Sequence, residues 1–503
     1  MVNRLWCLAT AIAALMMAIA APAANSAPPA KNPTLSVDDV SVAEGDSGTT
    51  PAVFTVRMSA AAAKAVSVDF ATADGGATSA NDYAATSGTV TLAKGQTSKQ
   101  VTVNVVGDTS VEPDETFFLR LSRPVNAVIG DGEGQGTIRN DDVPPTPAAT
   151  AYQLNPAHTG VVADAVAANP AQAWSRDLGG LVSYPLIAGG RVYVTVANEG
   201  VYGTKLLALD ATTGNPVWGP VSLGGTYFWS AITYDAGQVF ALNYDGVMSA
   251  FNATSGALNW SANMPGQYSF SSAPTARNGL VYTGGAGSGG TVYAVRETNG
   301  TVAWTARVQN GDTSSPAVSS TGVYVSYACG QSYDFAPASG ALLWYRSTAC
   351  EGGGGKTPVL AGGKLYVRDF SYPAILDAAT GAQLGPYQSN GPAPAVDASS
   401  RYILSSGTLR AEDVASGSTR WSFAGDGGLT SAPIVAGATV FVGSSTGRLY
   451  GLSTATGAVT WSTLVGSAIP APDEQNVSQP LTGLATSGGL VVVPAGRILA
   501  AYR

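Results

Sequence analysis

The sequence predicts an all-β protein: an antiparallel β-sandwich followed by an eight-bladed β-propeller that an N-terminal strand closes. Three observations lead there. Trp174, Trp218, Trp260, Trp304, Trp344, Trp421 and Trp461 recur at spacings of 44, 42, 44, 40, 77 and 40 residues, and the long gap is two periods with one tryptophan missing. Residues 34–143 instead alternate apolar and polar residues in short runs. Only 12% of residues are charged, while Gly 61 and Pro 29 supply turns between Val- and Thr-rich segments.

The chain opens with a secretory pattern. Arg4 is followed by the uncharged apolar run Leu5 to Ala20 and the small-residue site Ala21-Pro22-Ala23, so residues 1–23 read as a signal peptide. Export to the periplasm or cell surface is expected, with no transmembrane segment in the mature chain. Cys7 lies inside the apolar run, which offers no lipid-attachment site. Removal of the peptide leaves Cys329 and Cys350, most simply a disulfide in an oxidising compartment. A metal or redox pair lacks support, because there is no C-x-x-C and His158 is the only histidine. A formal charge of −8 without a Lys/Arg cluster argues against nucleic acid and anionic membrane surfaces as partners.

Within residues 34–143 the runs Val53–Val56, Val66–Phe70, Val90–Leu92, Val101–Val105 and Phe117–Leu121 predict a sandwich of about seven strands. Alternate strands run the same way, so their exits gather at one end. Those exits carry Glu44, Asp74, Asp108, Glu112, Asp141 and Asp142. Such acids either hold calcium, which takes six to eight oxygens, or serve as solvated turn formers.

Residues 144–150, Pro-Pro-Thr-Pro-Ala-Ala-Thr, read as a semi-rigid linker, and 151–503 as the propeller, with repeats from about 172. Each repeat has a proline-centred strand, as in Ser272-Ala273-Pro274, then an apolar strand such as Val323-Tyr324-Val325. A third strand such as Leu207-Ala208-Leu209-Asp210 leads to a Thr/Ser/Asn-Gly turn, and the tryptophan strand follows. Second strands number eight. The last repeat stops at Tyr502-Arg503 without a tryptophan strand, whereas the strand of Trp174 has no repeat before it. That strand is expected to complete the last blade beside Tyr502 and so remove two open sheet edges. The missing tryptophan is placed near Leu384, in the blade expected to be irregular.

Several blocks resemble a Calx-β domain: Val42-Ala43-Glu44-Gly45, Val68-Asp69-Phe70-Ala71-Thr72-Ala73-Asp74-Gly75, Asn81-Asp82-Tyr83, Glu112-Pro113-Asp114-Glu115-Thr116-Phe117 and Gly136-Thr137-Ile138-Arg139-Asn140-Asp141-Asp142. The resemblance implies an immunoglobulin-like sandwich, and it implies calcium at the positions of Glu44, Asp74, Asp108, Glu112, Asp141 and Asp142. Gly107 and Asn140 stand where calcium-rich members carry acids, which implies fewer ions or weaker binding. The repeats, typified by Leu207–Gly214 with Trp218 and Tyr450–Gly457 with Trp461, resemble the PQQ-binding-like, quinoprotein alcohol-dehydrogenase-like propellers.

Catalysis is not expected. Quinoprotein dehydrogenases set PQQ against a disulfide of adjacent cysteines, whereas Cys329 and Cys350 are 21 apart. The repeats contain no histidine for a Ser-His-Asp triad or a histidine-based metal centre. Gly352–Gly355 before Lys356-Thr357 lacks the first glycine of a phosphate loop, since that position is Cys350. His158, in the lead-in Pro156-Ala157-His158-Thr159-Gly160, reads as a packing residue. The expected function is a non-enzymatic adhesion or scaffold protein with a protein or glycan partner on the propeller. The candidate contact surface is the loops 199–202, 285–290 and 471–479 with Tyr227, Phe228, Trp229, Tyr268 and Phe270. A PQQ-dependent oxidoreductase and an envelope-assembly factor resembling the propeller lipoprotein of the outer-membrane assembly machine are the alternatives.

Overall fold

Short β-branched runs broken by glycine turns become strands throughout the described residues, and no helix occurs among them. The computed structural model describes residues 32–503 except 46–47, 80, 109–111, 141–147, 288, 310, 312, 349–353, 370–371, 388 and 390. The expected signal peptide, Asp141, Asp142 and Cys350 lie outside the described residues. The chain divides into two compact units, Met1–Pro144 and Pro145–Arg503.

The first unit contains β1 (Thr34–Val37), β2 (Val40–Ala43), β3 (Gly48–Met58), β4 (Val66–Asp74), β5 (Ser87–Leu92), β6 (Ser98–Gly107), β7 (Glu115–Val125), β8 (Val128–Ile129) and β9 (Glu133–Arg139). They form two sheets, ordered β6-β3-β1-β8 and β2-β9-β7-β4-β5. One core is shared between them. Leu35, Phe54, Val103 and Val105 come from the first sheet, and Val68, Val90, Phe117 and Leu119 from the second, each no more than 3% exposed. The alternation seen in sequence is the physical cause: Val101, Val103 and Val105 point inward while Thr102 and Asn104 face solvent.

Nine strands replace the expected seven or so, for two reasons. The opening run is cut at Asp38-Asp39. Before the cut β1 pairs with β3, and after it β2 runs parallel to β9 in the other sheet. The cut is held by Arg57 Nε on Asp38 at 2.9 Å and by the Gln135 amide donating to Asp39 at 2.7 Å. The short β8 also adds a parallel edge to β1.

The second unit comprises eight sheets of four or more strands. Sheets 1 to 7 span 186–224, 230–263, 275–308, 317–346, 359–386, 395–423 and 434–464, each an antiparallel meander. Sheet 8 draws three strands from 485–502 and its fourth from Gln172–Asp177. That fourth strand is antiparallel to Ile498–Tyr502, with Trp174 opposite Ala501 and Gln172 opposite Tyr502. The first and last repeat strands are therefore paired, as the odd tryptophan strand led us to expect.

Six tryptophans each fasten one sheet to the next. Trp218 Nε1 donates to Ala253 O at 2.9 Å, and its ring lies over Gly256. Trp174, Trp260, Trp304, Trp344 and Trp421 repeat this on Ala211, Glu297, Pro337, Ala378 and Thr454, over Gly214, Gly300, Gly340, Gly381 and Gly457. Two constraints make the turn residue glycine. Gly256 has φ +71°, and an added Cβ would sit 2.6 Å from the Trp218 ring. The residue before each glycine ties down the turn, as where the Thr213 amide and hydroxyl both donate to Asp210 Oδ1 at 2.8 and 2.9 Å.

Candidate functional site

Three regions could carry function: the acidic end of the first unit, the centre of the second, and the loop face of the second.

At the acidic end, Glu44 follows β2, Asp74 ends β4, Asp108 follows β6 and Glu112 lies before β7. Close backbone packing draws the first and third together. A side chain at Gly107 would strike Gly45 O and Glu44 O. Asp74 is committed within the protein: its carboxylate accepts from Tyr83 Oη at 2.5 Å and the Ser79 amide at 2.9 Å. The Tyr83 hydroxyl, then the Ser79 amide, holds its carboxyl below the usual range. Burial, reinforced by Asp74, pushes the Tyr83 phenol up to about 12. Tyr83 in turn stacks on Phe117 at 4.5 Å, so this acid braces the core.

Asp108 and Glu112 share an open pocket of about 510 Å³ with Asp82, Glu115, Thr78 and Asn81. Asp82 and Glu115 were missed as site residues, although both lie within the quoted sequence blocks. Glu115 has its carboxyl raised by burial and then by Asp82 and Glu112, a sign of accumulated negative charge. The donors are hard oxygens, the right kind for calcium. They do not converge: among the described residues no three His, Cys, Asp or Glu side chains could ligate one ion.

The centre of the second unit is filled by the chain itself. The lead-in 149–164 touches the first strand of every sheet, or the turn that follows it. Ala149 pairs with Ile187 of sheet 1, and Thr150 O accepts from the Tyr234 amide of sheet 2. His158 Nε2 contacts Thr275 Oγ1 of sheet 3 at 3.3 Å. Carbonyls of Pro156, Ala157, Thr159 and Gly160 accept from the amides of Val318, Leu360, Val396 and Val435 in sheets 4 to 7, at 2.7–2.9 Å. Asp164 receives the Gly488 amide beside sheet 8 at 3.1 Å. Residues 149–150, expected at the end of a linker, are thus bonded into this unit.

His158 is fully buried, its Nδ1 2.9 Å from Tyr152 O and its Nε2 2.9 Å from Pro316 O. Burial holds its pKa down to about 4, against those two carbonyls, which favour the charged form. It acts as a spacer bonded to backbone, as the sequence suggested.

From the opposite side the loop 465–484 sends Glu474 inward. Its carboxylate takes Arg368 Nη2 at 2.5 Å and the Thr357 amide at 2.6 Å, and Tyr152 Oη lies 3.5 Å away. Arg368 also donates to Thr357 O and Gly391 O, and the paired side chains are 1% and 4% exposed. Burial alone would raise the Glu474 carboxyl, but Arg368 and the Thr357 amide outweigh it and hold it below its usual value. The expectation that 471–479 forms contact surface therefore fails at Glu474. A 30 Å³ gap adjoins Gln475, an open 210 Å³ dimple lies at Ala471, Pro472 and Asp473, and a 150 Å³ pocket is lined by Ser467, Pro470 and Gln479 of the same loop.

The loop face over sheets 1 to 3 exposes Val201, Tyr202 and Tyr268 at 63%, 65% and 68%. Tyr202 lies 5.1 Å from Phe228 and 6.1 Å from Tyr227, which packs 4.4 Å from Tyr244. Two expected members do not belong to this surface. Trp229 and Phe270 are 1% and 0% exposed, because each packs into an apolar core shared by two neighbouring sheets, sheets 1 and 2 for Trp229 and sheets 2 and 3 for Phe270.

A family model described as outer membrane protein assembly factor BamB matches residues 158–290, 288–384 and 374–503, more than half of the chain. The chain belongs to that family. A Calx-beta domain model matches residues 31–141. Sodium/calcium exchanger 3 of Homo sapiens is 43% identical over 67 residues, 13% of this chain and 7% of the exchanger. Sodium/calcium exchanger 1 of Mus musculus is 46% identical over 57 residues, 11% of this chain and 6% of that protein. The chain thus spans less than a tenth of these relatives. BamB from Moraxella catarrhalis is similar at a TM-score of 0.51 and 18% identity, over 66% of this chain and 99% of that one. Quinohemoprotein alcohol dehydrogenase from Comamonas testosteroni scores 0.53 at 15% identity, over 71% and 80%. At these identities the structures share the propeller-like fold alone.

Proposed function

We propose that this family member is an exported, non-enzymatic binding protein that docks a protein partner on its aromatic loop face. The observation that carries the reading is the filled centre. Tyr152, His158, Arg368 and Glu474 occupy with mutual bonds the place where a propeller of this kind could hold a cofactor. What remains available is a rigid surface bearing Val201, Tyr202 and Tyr268, and exposed aromatics are favoured contact residues. The eight sheets form on this reading the blades of one closed eight-bladed ring, and the first unit is an immunoglobulin-like spacer or calcium module. Pairing of Cys329, which is buried at 7% exposure, with Cys350 fits an oxidising compartment.

Family membership favours a specific form of this reading, a role in envelope assembly, over adhesion. The test is photo-crosslinking of the full chain in its native envelope from positions 202 and 268. One recurring protein partner, lost with Tyr202→Ala plus Tyr268→Ala, is expected. Unchanged crosslinks in that variant, or alcohol-dependent dye reduction after addition of PQQ and calcium, would reject the reading.

The acidic end is proposed as a weak calcium site using Asp108, Glu112 and Glu44 with Asp141 and Asp142. Its support is the shared pocket and the raised carboxyl of Glu115. Calcium would there neutralise acids that otherwise repel one another.

A further inference from the structure

Sheet 5 lacks the tryptophan that the fourth strand of every other sheet carries. Across strands three and four, Ala208 faces Trp218, Ala250 faces Trp260, Ala294 faces Trp304, Asp334 faces Trp344, Ala411 faces Trp421 and Gly451 faces Trp461. In sheet 5 the same register sets Ile375 opposite Gly385. The absent indole belongs at Gly385, one residue beyond Leu384, which the sequence spacing indicated.

The receiving half of the joint is nevertheless intact. Sheet 6 retains its turn glycine, Gly417, at φ +73°. It also retains the carbonyl that follows strand three, Val414 O, in the place of Ala253 O or Thr454 O. Without an indole N–H, Lys364 Nζ reaches Val414 O at 3.3 Å. Arg401, paired with Glu412 at 2.8 Å, brings a guanidinium nitrogen to 3.3 Å from where a Gly417 Cβ would be. Tyr193 and Tyr282 donate to the same carbonyls as Trp218 and Trp304, Ala253 O and Pro337 O. Their counterpart Tyr366 is fully buried, and its hydroxyl has no hydrogen-bond partner among the described residues.

An open pocket of about 390 Å³ results, with Ile375, Leu384, Gly385, Ile403 and Val414 on its apolar side and Lys364, Arg401 and Glu412 on its polar side. A Cβ built on Gly385 meets nothing within 4 Å.

We propose that this gap is a binding site for an indole ring, supplied by a free indole compound or by a tryptophan side chain of a partner protein. The template is the molecule itself, which builds the same joint six times with its own indoles. The ring enters through the space over Gly385 and lies on Gly417, displacing the Arg401 guanidinium from its place 3.3 Å from that glycine's Cβ position. Its N–H donates to Val414 O once the flexible Lys364 swings aside. The Arg401 cation meets its face.

The test uses the full chain. Fluorine NMR of 5-fluoroindole, with N-acetyl-tryptophanamide and a tryptophan-containing peptide as competitors, is expected to show saturable binding. Gly385→Trp should weaken binding by at least about ten-fold and raise Tm, because the chain then supplies the ring. A diazirine-bearing indole on the unmodified protein gives a readout that needs no variant, with adducts expected at 384–386 and 414–417. Stronger competition by the peptide than by the amide assigns the ring to a partner protein, and competition by small indoles alone assigns it to a metabolite. Absence of saturable binding at millimolar ligand, unchanged binding in Gly385→Trp, or adducts confined to other segments would each overturn the proposal.

Discussion

Glu474→Ala is the perturbation that most directly probes the filled centre. Arg368, 1% exposed, would keep its carbonyl partners on Thr357 and Gly391 but lose its carboxylate partner, while the Thr357 amide would lose its acceptor. Breaking a buried ion pair from one side costs about 3–5 kcal/mol, and an orphaned buried amide adds about 1–3 kcal/mol. Partial relaxation brings the expected loss to about 4–5 kcal/mol. Glu474→Gln keeps an acceptor and should cost about half as much. Replacing both partners by apolar residues, Arg368→Met with Glu474→Leu, should recover most of the loss. Guanidinium unfolding followed by tryptophan fluorescence is the assay. Apart from Trp6, in the expected signal peptide, all tryptophans lie in the second unit, so the signal reports chiefly that unit. A Glu474→Ala loss under about 1 kcal/mol would refute the reasoning, since it would mean that the pair is solvated. The depressed Glu474 carboxyl adds a sign: its stabilisation is present above the unfolded value near 4.3 and is lost as pH falls through the lower folded value.

His158 has a folded pKa lowered to about 4, so the unfolded chain binds the extra proton first, and stability should fall by about 3 kcal/mol between pH 6.5 and pH 4. His158→Gln should flatten that slope, and stability rising on acidification would show that Tyr152 O and Pro316 O outweigh burial. Gly256→Ala, which drives a Cβ to 2.6 Å from the Trp218 ring, should cost about 3 kcal/mol in chemical denaturation. Gly417→Ala, where no indole is present, should cost about 1 kcal/mol. Tyr268→Ala should change Tm little, because the side chain is 68% exposed, while reducing partner crosslinking. Calorimetric titration with calcium should show binding that Asp108→Asn with Glu112→Gln removes; no heat and no thermal shift at millimolar calcium would dismiss the acidic site.

The two-part organisation was legible because its signals are local. Alternation in Val101–Val105 specifies which face is buried, and the Asp210–Gly214 turn forms within five residues. Ring pairing was legible for a different reason: an unpaired tryptophan strand at one end and a missing strand at the other have one economical solution. The aromatic surface was legible only in part. Tyr202 and Tyr268 are exposed, but Trp229 and Phe270 are buried, and nothing in their neighbouring residues separates the two cases.

By itself, then, the sequence determined the elements, their period and the residues at each joint, because hydrophobic periodicity and turn chemistry act over a few residues. Tertiary structure alone decided how the centre is closed and where a joint stands open. Arg368 and Glu474 are 106 residues apart, and His158 reaches Pro316 across 158. The empty indole position depends on strand register, a property of two paired strands, and Gly385 acquires it only by standing opposite Ile375.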